Sequence, residues 1–64
     1  METVTRREVE EAERCIAALL HKCERAIEKL VPNTSQHRLM KNRIAALQVA
    51  LTLIRERLQI DAVR

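Results

Sequence analysis

The side chains best equipped for chemistry in this chain are two thiols and two imidazoles: Cys15, Cys23, His21 and His37. A thiol beside an imidazole can act as a nucleophile and its base, and four such ligands in tetrahedral array can hold zinc. The spacing favours neither use. There is no Cys-x-x-Cys pair, and neither histidine has a serine, cysteine or carboxylate arranged as a triad. On a helix Cys15 and Cys23 stand about 12 Å apart at about 1.5 Å rise per residue, beyond the reach of a disulfide. Cys23 reads as a small apolar core residue and Cys15 as a thiol at the edge of the apolar stripe. No catalytic residue, metal ligand or cofactor site is assigned, and a non-enzymatic protein is expected.

The basic residues offer a different chemistry. In a folded hairpin Lys22, Arg25, Lys29, Arg38, Lys41 and Arg43 gather toward the turn, against Glu24 and Glu28. Arg38 and Lys41 fall early in the second helix, where the helix dipole disfavours cations, and a local cost of this kind can mark an anion site. Lys29, Arg38, Lys41 and Arg43 are therefore the candidates for contact with an anion or nucleic acid. The plainer reading is a solvated face in which the two glutamates pair locally. No aromatic residue is present to stack on bases, and two helices leave no room for a helix-turn-helix with further support.

These side chains must be positioned by very little protein. Sixty-four residues make one domain at most, and a monomer of this size is marginal without a staple or a partner. With no glycine and one proline, the chain lacks the usual residues of tight hairpins and phosphate loops. Ala, Leu, Ile, Glu, Arg and Lys dominate, which is the composition of long helices. The net charge of +3 is uneven: residues 1–31 hold six basic and seven acidic groups, and residues 32–64 hold six and two. The start Met1-Glu2-Thr3-Val4-Thr5-Arg6-Arg7 reads as no secretory leader, and no apolar run approaches the roughly 20 residues of a membrane span. A cytoplasmic protein without membrane contact is expected.

The pattern predicts an all-α antiparallel hairpin spanning 1–64, with helix 5–31, turn 32–34 and helix 35–62. Thr5 and Glu8 form a capping box, with Val4 and Val9 placed as a hydrophobic staple. Val9, Ala12, Ile16, Leu19, Cys23, Ala26 and Leu30 then recur at alternating three- and four-residue spacing, widened by Leu20 and Ile27. Pro32 ends this helix, Asn33 is suited to a left-handed turn, and Thr34 or Ser35 caps the second helix. Met40, Ile44, Leu47, Leu51, Ile54 and Leu58 form the facing stripe. A linker this short forces the helices antiparallel. Pairing then brings Ala12 near Ile54 and turns Glu10, Glu11 and Glu13 toward Arg55 and Arg57.

The second helix carries more apolar surface than this pairing uses. Leu39, Ala46, Leu53 and Ile60 recur every seven residues, joined by Ala50, with Val49 and Val63 nearby. This line sits roughly 100° around the helix from the first stripe, and one facing helix cannot cover both. Monomeric proteins seldom expose such a line. It is the expected self-association or partner stripe, with a homodimer and four-helix bundle favoured and docking of another protein as the rival. The function expected is thus a small interaction or adaptor module, with a nucleic-acid-associated regulator using the basic pole as the alternative.

The segment Thr34-Ser35-Gln36-His37-Arg38-Leu39-Met40-Lys41-Asn42-Arg43-Ile44-Ala45-Ala46-Leu47 resembles the second helix of small uncharacterised hairpin proteins of Gram-positive bacteria and their prophages. The resemblance covers roughly a quarter of the chain and implies a helical hairpin but no activity. The overall shape also resembles the short helical-hairpin phosphatases that act on sporulation response regulators, whose signature is Ser-Gln-x-Leu-Asp. Ser35-Gln36 is present, but Arg38 and Leu39 follow and no Asp does, so the phosphatase activity is not carried over.

Overall fold

In a computed structural model, residues 3–63 are described, apart from the side chains of Asp61 and Val63. The described chain is all-helical: α1 spans Arg6–Ile27 and α2 spans Ser35–Val63, packed side by side. The α-carbons fill a thin slab of 46 × 23 × 15 Å.

Local chemistry sets both helix starts. The Thr5 hydroxyl accepts from the Glu8 amide at 3.1 Å, and the Glu8 carboxylate accepts from the Thr5 amide at 2.9 Å. This is the expected capping box, and two otherwise unpaired amides are satisfied by it. The Thr5 backbone amide, and then its hydroxyl, hold the Glu8 carboxyl below its ordinary pKa. At the second start the sequence allows two caps, and the geometry selects Thr34. Its hydroxyl accepts from the His37 amide at 3.2 Å and donates to the Val31 carbonyl at 2.7 Å. Asn33 takes the left-handed conformation, with φ of 69°.

α1 closes earlier than the expected boundary at residue 31. Regular α-helix stops at Ile27, and Lys29 and Leu30 donate to the carbonyls of Ala26 and Ile27 at 3.1 Å each. These tighter bonds carry the chain into the turn while satisfying terminal carbonyls.

Packing follows one seam. On α2 Met40, Ile44, Leu47, Ile54 and Leu58 are half-buried and Leu51 is buried, as the spacing requires. On α1 the inward line is Val9, Ala12, Ile16, Leu20, Cys23, Ala26 and Ile27, with Leu30 half-buried just beyond the helix end. Leu19, expected on that line, is instead 47% exposed, because Leu20 takes the core position one residue later and turns Leu19 onto the flank. Cys23 is buried and Cys15 exposed, each as its place on the stripe suggested.

The ion pairs are only partly those expected. Glu13 accepts from Arg55 at 3.1 Å and ties the helices together. Glu10 and Glu11 pair instead with Arg6 and Arg7, one turn away on their own helix, where the partner is already at the right spacing. The Glu13–Arg55 bridge marks the register. Residues 13 and 55 lie equally far from position 34, so the hairpin folds symmetrically about its turn.

A two-helix hairpin gives each side chain only one neighbouring helix. Among the described residues only Val9, Cys23 and Leu51 are buried hydrophobics, and none is fully enclosed. No described helix is long and apolar enough to cross a membrane.

Candidate functional site

The exposed apolar side chains concentrate on α2. Leu39 is 65% exposed, Val49 61%, Leu53 60% and Ile60 57%, with Ala46 also exposed. At about 100° per residue, the Leu39–Ile60 line lies roughly 120° from the α1-facing side and Val49 roughly 180° from it. Ala50 is placed differently from its stripe companions: it is half-buried at the margin of the hairpin seam. The side chain of Val63, also expected near this stripe, lies outside the described residues.

This face has a coherent repeat. Leu39, Asn42, Ala46, Val49, Leu53, Glu56 and Ile60 alternate three- and four-residue steps, and all are exposed. That is a second heptad seam on the same helix, apolar at five of its seven positions. The seven-residue line alone makes Val49 only a neighbour of the stripe. Stepping by three from Leu39, Ala46 and Leu53 reaches Asn42, Val49 and Glu56 and completes the seam.

An open hollow of about 340 Å³ lies beside this seam, lined by Ala45, Gln48, Val49, Thr52 and Leu53. Ala45, Gln48, Val49 and Thr52 stand at i, i+3, i+4 and i+7. Those are the four corners of the socket that receives one side chain from a facing helix. No corner carries a charge, so a docking side chain desolvates no ion there, while the Gln48 amide and the Thr52 hydroxyl need hydrogen-bond partners if covered.

The flank of the hairpin also contributes. Glu13 and Arg55 lie on one side of the α1–α2 seam. By the helical repeat Leu19 lies on the opposite flank, level with Val49 along the hairpin and on the side toward Leu39 and Ala46. The apolar surface therefore continues from α2 onto α1 along the flank without the ion pair.

The basic candidates are divided. Arg38 and Lys41 line a polar hollow of about 140 Å³ with Asn33, Thr34 and His37 at the start of α2. Lys29 lies in a separate hollow of about 450 Å³, with His21, Lys22, Arg25, Ala26 and Glu28. Arg43 lines neither of these two hollows. Among the described residues, no three His, Cys, Asp or Glu side chains converge as metal ligands.

Compared with known protein families, characterised proteins and solved structures, the chain matches none.

Proposed function

We propose that this chain is a small non-enzymatic protein–protein interaction module of the cytoplasm that self-associates through α2 into a four-helix bundle. The observation that supports this is the second heptad seam, with Leu39, Val49, Leu53 and Ile60 each more than half exposed. If about 500 Å² of apolar surface were buried per chain, at roughly 25 cal/mol/Å², the gain would be on the order of 10 kcal/mol. Two copies contribute twice that, against an association cost of about 4–15 kcal/mol. Sedimentation equilibrium over a wide concentration range tests the reading. A dimer that dissociates when Leu39 and Leu53 are replaced by glutamate supports it. A wild-type monomer at all concentrations overturns it.

A second reading, nucleic-acid contact, draws on the hollow where Arg38 and Lys41 meet the start of α2. It requires a salt-sensitive mobility shift with nucleic acid that Arg38→Glu with Lys41→Glu abolishes. No shift at low salt removes it.

A further inference from the structure

Resting on the self-association reading, we infer that the second copy docks antiparallel, α2 against α2, about a two-fold axis through Val49. The polar members of the seam set this orientation. Asn42 and Glu56 each lie seven residues from Val49, on opposite sides, and both are exposed on the same face. An antiparallel pairing about Val49 sets Asn42 of each copy against Glu56 of the other. An amide donor then meets a carboxylate acceptor, twice. The apolar positions match in the same register. Ala46 meets Leu53 and Leu39 meets Ile60 within one residue of level, pairing small with large at the centre. Val49 meets its own copy at the axis.

A parallel pairing of the same seam leaves Asn42 facing Asn42, an acceptable amide pair, but is worse at Glu56. It places Glu56 against Glu56, two like charges in the contact. The antiparallel arrangement leaves Arg43 and Arg57 of opposite copies along one rim, where water and salt screen them. Polar residues inside a heptad seam weaken it but select one orientation and register. Burial of about 500 Å² on each copy would total about 1,000 Å², the lower bound for a specific interface.

The test uses the full chain with Cys15→Ser, so that the exposed thiol does not interfere while buried Cys23 stays in place. Asn42→Cys and Glu56→Cys chains are oxidised separately and mixed. A disulfide between the two different variants is expected, with little between identical ones. Like positions would stand about 21 Å apart at about 1.5 Å per residue, far beyond a disulfide. Separately, Asn42→Asp is expected to raise the dimer dissociation constant about tenfold, because two carboxylates then meet in each of the two contacts. Adding Glu56→Lys should restore it, because the carboxylate placed at position 42 then faces the ammonium placed at position 56 of the other copy. Self-linkage of Asn42→Cys alone, or failure of the second substitution to rescue, overturns the antiparallel register and leaves the self-association reading standing. A monomer throughout overturns both.

Discussion

Replacing Leu53 by alanine should damage association while leaving the hairpin seam intact. Leu53 is 60% exposed in the single chain, leaving about 110 Å² of side chain to bury on docking; truncation to alanine removes about two-thirds of that, or ~2 kcal/mol per chain at about 25 cal/mol/Å². Two copies lose about 4 kcal/mol, which raises the dissociation constant on the order of 1,000-fold. Leu51, two residues away, is buried against α1. Leu51→Ala should cost about 2–4 kcal/mol of hairpin stability through the cavity it leaves. Concentration separates the two effects. Helicity and molar mass are followed together, by circular dichroism and sedimentation equilibrium. The Leu53→Ala defect should disappear when the chain is concentrated by about the same 1,000-fold factor, because association is restored by mass action. A Leu51→Ala defect should persist in the associated state. An unchanged dissociation constant in Leu53→Ala, or a loss of helix there that does not depend on concentration, would refute the assignment of Leu53 to an outer contact.

Three further outcomes follow from the capping and thiol chemistry. The Glu8 carboxyl has its pKa lowered in the fold by the Thr5 amide and hydroxyl; its contribution is present above the ordinary carboxylate value and is lost as pH falls through the folded one. Helix content should therefore fray from the α1 end on acidification, and a Glu8→Gln chain should lack that component of the acid titration. Thr34→Ala should destabilise the fold by about 1 kcal/mol, read from denaturant midpoints, because the His37 amide loses its acceptor; a shift no larger than that of Ser35→Ala would contradict the assignment of Thr34 as cap. Iodoacetamide should label Cys15 in the folded chain and reach Cys23 only on unfolding, one exposed and the other in the seam; equal labelling rates under native conditions would contradict the packing.

Most of the hairpin is legible in the sequence because strong local signals agree. Thr5 with Glu8, Pro32 followed by Asn33, and six apolar residues in regular alternation from Met40 to Leu58 all constrain backbone or face directly. Sequence and structure part where two alternatives differ by one residue. Leu19 and Leu20 are the same residue type, and only packing against α2 decides which of them turns inward. The end of α1 depends on whether terminal carbonyls are met by α-helical bonds or by the tighter bonds at Lys29 and Leu30, which sequence spacing does not distinguish. Glu10 and Glu11 have basic residues within reach both across the hairpin and one turn away, and the shorter link on their own helix is made. In the candidate site, the apolar line is visible in the sequence while the intervening Asn42 and Glu56 are not, because polar residues on an exposed face look like ordinary solvated surface until a partner is considered.

The same physics connects the thin core to the outer seam. A single α1–α2 contact buries three hydrophobic residues among those described and fully encloses none, so the hairpin forgoes the close-packed interior that normally offsets the entropy of ordering a chain. More hydrophobic residues on α1 would not help, since α2 has only one side to offer it. The α2 of a second copy would cover the outer face of α2, and the chain already supplies the required spacing there from Leu39 to Ile60. The small residues in and beside that seam, Ala46 and Ala45, favour close approach of another helix over an exposed surface of long charged side chains. Folding and association would then draw on one pool of apolar area divided between two sides of one helix. A substitution on either side shifts both equilibria, and the concentration dependence of the shift identifies the side.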